Sequence, residues 1–249
     1  MSMMGIIGGS GLAKLSALAH VRRQVMRTPY GEPSGALTFG ELCGREVVFL
    51  ARHGYGHTIP PHEINYRANL WALKELKVEG VLAVATCGGI RGDLGPGTLV
   101  VPHQIIDYTH SRKSTYFEGS EAPVTHVDFT QPYSAPLRER LLAAARRCGE
   151  RVIDGAVYAC TQGPRLETAA EIERIARDGG ELVGMTGMPE AVLARELGLP
   201  YATLGVVVNH AAGRGDSAER IRLEDLDAMM QTTVVRAVTV LQSVLEAAP

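Results

Sequence analysis

Short apolar runs with little internal alternation recur along this 249-residue chain, separated by stretches of helical pattern. A strand that is apolar on both faces must be covered on both faces, so the expected class is an α/β layer fold with a largely buried sheet. The runs are Met4–Ile7, Glu46–Leu50, Val81–Ala85, Thr98–Val101, Gly155–Cys160, Glu181–Gly184 and Tyr201–Val208. Between them helices are predicted over Asn65–Lys77, Pro136–Cys148 and Pro189–Leu197, the last two opening on a proline whose missing N–H is not needed in a first turn. A final helix, about Leu223–Ala247, repeats Leu226, Met230, Val234, Ala237, Leu241 and Leu245 at helical period, the stripe of a helix packed on a sheet. The stretch from Pro102 to Pro132 has no clear period, and so long a loop usually carries function or meets a partner.

With 45% hydrophobic and 21% charged residues the chain can bury a full core, as one large domain or two small ones. The net charge is −2 and the basic residues are scattered, which opposes a nucleic-acid or membrane-binding surface, so any anion site must be local. No apolar run is expected to span a membrane and the Met-rich start does not read as a targeting segment, so a cytoplasmic protein is expected. Cys43, Cys87, Cys148 and Cys160 are far apart, and His62-Glu63 lacks the second His of a metalloprotease helix because Tyr66 stands there. No metal is predicted.

Four segments suit an oxyanion. Gly5-Ile6-Ile7-Gly8-Gly9-Ser10-Gly11-Leu12 is a strand running into glycines, which lets backbone N–H groups and the Ser10 hydroxyl approach an anion. It is not a dinucleotide fingerprint, because Lys14 replaces the third glycine, nor a nucleophile elbow, because Leu12 stands two after Ser10. Taken alone it reads more simply as a tight strand-to-loop connection. Arg52-His53 follows a second strand, where a guanidinium fork matches phosphate and an imidazole adds a donor; a solvated Arg and a backbone-tied His are the plainer alternative. Thr86 follows a third strand beside Gly88-Gly89. Thr186 precedes the proline-initiated helix, where it can face an anion at the dipole's positive end or simply cap the helix. Four such segments together favour one shared anion site.

These segments, with Asn65-Tyr66-Arg67-Ala68-Asn69-Leu70-Trp71-Ala72-Leu73, Thr161-Gln162-Gly163-Pro164-Arg165-Leu166-Glu167 and Gly184-Met185-Thr186-Gly187-Met188-Pro189-Glu190, resemble the trimeric purine nucleoside phosphorylases. Within that family they are nearest the methylthioadenosine and methylthioinosine phosphorylase branch. The resemblance implies a single domain over residues 1–249, with a twisted mixed β-sheet, partly closed into a barrel and flanked by helices. It implies phosphorolysis of a purine nucleoside with inorganic phosphate as co-substrate and no metal or organic cofactor. It puts Ser10, Arg52, His53, Thr86 and Thr186 at phosphate and Met185 against the ribose. Family members often carry Thr-Ala or Asn-Ala where this chain has Ala85-Thr86, which leaves open whether the Thr86 hydroxyl or only backbone meets phosphate. A homotrimer is implied, with His126 reaching into a neighbouring subunit's site.

The same resemblance addresses specificity. Glu167 falls where 6-oxopurine-specific relatives accept a hydrogen bond from N1–H, and Asn209 where they donate to O6 and accept from a protonated N7. With His53, these are the expected catalytic residues. A hydrogen-bonding site rejects a mispaired base strongly, so hypoxanthine is expected over adenine. No His follows His210 to meet a 5′-hydroxyl, whereas Ile221, Leu223 and Leu226 offer an apolar wall suited to a methylthio group. S-methyl-5′-thioinosine is therefore the expected substrate, with inosine or guanosine, and then S-methyl-5′-thioadenosine, as runners-up. A Rossmann-type nucleotide-binding protein is the alternative from a different class.

Overall fold

The computed structural model describes residues 3–12, 15–119 and 123–247, the side chain of Asp225 excepted. Lys14, which breaks the dinucleotide pattern, lies outside the described residues, as does part of the stretch from Pro102 to Pro132. The elements in chain order are β1 (Met4–Gly8), β2 (Ala19–Gln24), β3 (Leu37–Leu42), β4 (Arg45–Ala51), α1 (Tyr66–Glu75), β5 (Val81–Gly89), β6 (Leu99–Val101) and β7 (Gln104–Asp107). There follow α2 (Ala135–Arg147), β8 (Val152–Asp154), β9 (Val157–Cys160), α3 (Ala169–Arg177), β10 (Leu182–Gly184), α4 (Gly187–Glu196), β11 (Tyr201–His210) and α5 (Leu223–Glu246).

All the strands belong to one mixed sheet, and β5 is its hub. It pairs in parallel with β1 and β11, and its glycine end pairs antiparallel with β10. Because β4 is also parallel to β1, the carboxyl ends of β1, β4, β5 and β11 lie on one edge, where open α/β sheets bind ligands. Successive strand residues feed opposite cores, as a period of two requires. Ile7, Leu50 and Ala83 pack with α1 and α4 on one face, while Ile6, Phe49 and Leu82 pack with α2 and α5 on the other.

Every predicted strand is present, and β5 runs on through Thr86-Cys87-Gly88-Gly89, so Thr86 sits within a strand rather than in a turn after it. Sequence patterning missed β2, whose residues are all exposed, along with β3, β7, β8 and helix α3. That helix is announced by a capping box, Thr168 accepting from the Glu171 N–H while the Glu171 carboxylate accepts from the Thr168 N–H. The expectation of a partly closed barrel is corrected: among the described residues no ladder joins β7 to β8, and the sheet stays open. The expectation that no segment is long and apolar enough to cross a membrane is also corrected, since Leu226–Glu246 meets that description. Its apolar length is spent inside the protein, where Val234, Ala237, Val240, Leu241, Val244 and Leu245 are buried against the sheet and α2.

Candidate active site

A cavity of about 820 Å³ opens at the carboxyl edge of the sheet, with walls from the ends of β1, β4, β5, β10 and β11 and from the start of α5. One end collects the four anion-suited segments. At Gly9 a Cβ atom would lie 2.8 Å from the Val84 carbonyl and 2.9 Å from Arg52 Nη1, so only glycine lets the β1 turn approach β5 and the guanidinium this closely. The Ser10 hydroxyl stands 3.4 Å from His57 Nε2 at the cavity wall.

Arg52 reaches this space already anchored from behind. Its Nε and Nη2 donate to Glu190 at 2.7 and 2.8 Å, and Nη1 donates to the Val84 carbonyl at 3.0 Å. Tyr201 donates a further 2.7 Å bond to the same carboxylate. Arg52 is 1% exposed and Glu190 0%. Burial pulls the guanidinium's pKa down, and the adjoining Glu190 more than offsets this, holding it above its ordinary value. Arg52 thus lines the cavity as a cation fixed by three of its five N–H groups, with one N–H on each of Nη1 and Nη2 not taken by these bonds.

His53 departs from expectation. Its Nδ1 lies 2.8 Å from the Ile59 carbonyl, which can only accept, so that nitrogen carries the proton. Burial and the neighbouring Arg52 lower its pKa to about 4, so the ring is neutral at pH 7. With its N–H already engaged, His53 offers Nε2 as an acceptor rather than adding a donor. That nitrogen suits the O–H of hydrogen phosphate.

Thr86 is the sole half-buried residue in the otherwise buried strand β5, and it lines the cavity. Thr186 occupies the N-cap position of α4, yet its side chain makes no capping hydrogen bond; Met188 keeps extended φ/ψ, so regular helix begins only at Pro189. The competing cap role is therefore absent, and the hydroxyl belongs to the cavity wall.

Along the cavity, Met185 follows β10 and packs against Gly163, where a Cβ would meet its sulfur at 2.5 Å. Gly163 also has φ +64°, a conformation glycine adopts without strain. This contact joins the Thr161–Glu167 loop to the Met185 turn. Glu167 enters the cavity with one carboxylate oxygen accepting from the Thr161 hydroxyl at 2.5 Å, leaving the other for a ligand. Asn209 follows a β-bulge in β11, where the register with β5 slips between Val207 and Asn209. An extra residue at a bulge re-aims the side chains after it, and Asn209 lines the cavity opposite Gly88. Its Nδ2 donates to the His210 carbonyl at 2.6 Å, which leaves Oδ1 and a second N–H unused.

At the far end Ile221 and Leu226 line the cavity as expected. Leu223 does not; it opens α5 one turn before Leu226 and is 62% exposed. Sequence patterning missed Asp227 and Met230 as lining residues, although Met230, four residues after Leu226, shares its helix face. Met230 also touches the turn after β1, its Cγ lying 2.6 Å from where a Gly11 Cβ would stand. His126 is exposed on its loop and does not line the cavity of its own chain.

Comparison with known proteins gives this arrangement a family. The model of the phosphorylase superfamily matches residues 4–246. A Pseudomonas syringae pv. tomato protein named "Probable S-methyl-5'-thioinosine phosphorylase" is 50% identical over 247 residues, covering 99% of this chain and 100% of its own length. The 6-oxopurine nucleoside phosphorylase of Pyrococcus furiosus is 46% identical over 236 residues, covering 93% of this chain and 87% of its own. Among solved structures, the methylthioadenosine phosphorylase of Schistosoma mansoni in complex with adenine superposes with a TM-score of 0.93 at 31% identity, covering 98% of this chain and 91% of that one. Sequence and fold agree over nearly the whole length, and the chain belongs to the phosphorylase superfamily.

Proposed function

We propose that this protein is a purine nucleoside phosphorylase converting S-methyl-5′-thioinosine and phosphate into hypoxanthine and 5-methylthioribose 1-phosphate. The observation that carries this reading is the convergence of Glu167 and Asn209 on one cavity whose far wall is Ile221, Leu226 and Met230. A 6-oxopurine offers an N1–H to the free Glu167 oxygen and an O6 acceptor to the Asn209 amide, whereas adenine presents the opposite pattern at both atoms. Ile221, Leu226 and Met230 take a methylthio group and give a 5′-hydroxyl no partner among themselves, and a hydroxyl facing only these residues costs about 1–3 kcal/mol.

In this scheme phosphate is the nucleophile, so the protein supplies none and needs no metal or organic cofactor. Ser10, Thr86, Thr186 and the glycine N–H groups hold the oxyanion, Arg52 sets the local potential, and neutral His53 takes a phosphate O–H. Met185 packs under the ribose. The glycosidic bond breaks toward the purine as phosphate bonds to the anomeric carbon. The electron pair left on the base is stabilised by protonation at N7, the proton being the one hydrogen phosphate gives up as it becomes the sugar ester, with Asn209 Oδ1 accepting that N–H. Catalysis is then positioning together with electrostatic stabilisation of an oxocarbenium-like sugar.

One observation favours a second reading. Asp227 stands on the same wall as Leu226, and its carboxylate can accept from a 5′-hydroxyl, which suits inosine or guanosine. We further propose a single-domain, cytoplasmic homotrimer in which His126 completes the 5′ end of a neighbouring site. The exposed His126 loop supports the assembly, and four free cysteines, Cys43 among them exposed, suit a reducing compartment. The test is kcat/KM for S-methyl-5′-thioinosine, inosine and S-methyl-5′-thioadenosine at saturating phosphate. The methylthio 6-oxopurine is expected to lead, and preference for the adenine nucleoside would overturn the assignment of Glu167 and Asn209.

A further inference from the structure

Arg112 lies in the stretch between β7 and α2 that carries no periodic pattern, and it does not line the cavity. Its guanidinium is nonetheless the point where the cavity's walls meet. Nη1 donates to the Met185 carbonyl at 2.8 Å and to the Met188 carbonyl at 2.6 Å. Nη2 donates to the carbonyls of Gln162 at 2.7 Å and Thr161 at 3.3 Å, and Nε donates to the Gln162 side-chain oxygen at 3.2 Å. A longer bond, 3.3 Å, runs from Nη1 to the Tyr66 hydroxyl, which itself donates to the carbonyl of the lining residue Pro61.

Among the described residues no carboxylate pairs with this cation. Its charge is spread over carbonyl dipoles from two segments that no strand ladder holds together beyond Gly184. One segment ends in Glu167, whose carboxylate is held by the Thr161 hydroxyl. The other carries Met185 and Thr186. A planar fork with five donors fixed in direction sets the separation of such segments as a flexible ammonium cannot.

We propose that Arg112 is a positioning residue of the reaction, fixing the distance between the base-reading loop and the sugar- and phosphate-facing turn and thereby sharpening base selection. This rests on the role proposed above for Glu167. Arg112 acts through Thr161, whose carbonyl it holds and whose hydroxyl holds Glu167. Displacing that carboxylate by a fraction of an ångström weakens the N1–H bond that distinguishes the two bases.

The experiment measures the ratio of kcat/KM for S-methyl-5′-thioinosine to that for S-methyl-5′-thioadenosine in the unaltered enzyme, Arg112→Met, Arg112→Lys, Thr161→Val and the Arg112→Met/Thr161→Val double variant. A ratio is independent of the folded fraction, so a purely structural role leaves it unmoved. Arg112→Met is expected to lower it by about tenfold to a hundredfold while raising nucleoside KM, with Arg112→Lys intermediate. The double variant is expected to fall no further than the worse single variant, because both changes cut one chain of contacts. A ratio unchanged in both Arg112 variants overturns the proposal, as does strict additivity in the double variant. If Arg112→Met does not fold, Arg112→Lys and Thr161→Val carry the test. Whichever nucleoside the unaltered enzyme prefers, the expected change is loss of that preference, so a wrong substrate assignment shows in the unaltered enzyme and a wrong Arg112 assignment in the variants.

Discussion

The two ends of the cavity are built from different material. The end proposed to hold phosphate is made of strand termini locked by the sheet, with Arg52, His53 and Thr186 buried and Arg52 ion-paired to buried Glu190. The end proposed to hold the 5′ group is Ile221 and the first turns of α5 after it, where Ile221, Leu226 and Met230 are only half-buried and Leu223 is exposed. An anion needs donors at fixed positions, which a sheet edge supplies in advance. An apolar substituent needs only a surface, and a helix start can supply that and change it without disturbing the sheet.

This contrast orders the expected effects of mutation. The largest belongs to Arg52→Met, which strands the buried Glu190 carboxylate without its cation. Loss of about 3–5 kcal/mol is expected in urea unfolding, and a loss below 1 kcal/mol would mean that the phosphate end is not the rigid part of the molecule. Next comes acid. His53 titrates near pH 4 when folded against an ordinary 6.5, so between those values the unfolded chain binds more protons and stability rises with pH. Its contribution is complete above pH 6.5 and is lost as pH falls toward 4, by about 3 kcal/mol at most. His53→Gln, neutral throughout, should flatten that part of the stability profile, and an unchanged slope would remove His53 as its source.

Thr186→Val, which keeps shape and removes one hydroxyl, should raise phosphate KM by about tenfold with little change in unfolding temperature. Equal phosphate KM in the variant would return Thr186 to a passive wall. At the other end Leu226→Ala is expected to cost under about 1.5 kcal/mol of stability, since the residue is half-exposed. It should also lower the S-methyl-5′-thioinosine to inosine preference by about tenfold. The smallest effect is expected for Leu223→Ala, with kinetics unchanged; a loss matching that of Leu226→Ala would place Leu223 in the site after all.

The same contrast governs what was legible in the sequence. Apolar runs marked the buried strands β1, β4, β5, β6, β9, β10 and β11, because burial on both faces leaves a compositional trace. Strand β2, exposed throughout, leaves none, and β7 and β8, nowhere fully buried, leave little. The glycine-and-hydroxyl segments located one end of the cavity because close backbone approach restricts residue type, as at Gly9. What could not be read was the partner of each side chain. Nothing near Arg52 announces Glu190, 138 positions away in sequence, or the bond from His53 to Ile59 that turns an expected donor into an acceptor. Arg112 left no signal, because its function lies in carbonyls that every residue possesses. The apolar lining was half legible: helical period named Leu226 and Met230 together, but the start of α5 relative to the cavity, which leaves Leu223 out of the lining, is a tertiary fact.

The most direct test of the proposed chemistry is the release of hypoxanthine from S-methyl-5′-thioinosine with phosphate as the only variable. The release is expected to saturate with phosphate, to yield the sugar 1-phosphate in equal amount, and to stop when phosphate is removed. Hypoxanthine appearing at an undiminished rate without phosphate, together with the free sugar, would contradict an oxyanion site at the sheet edge as the source of the nucleophile.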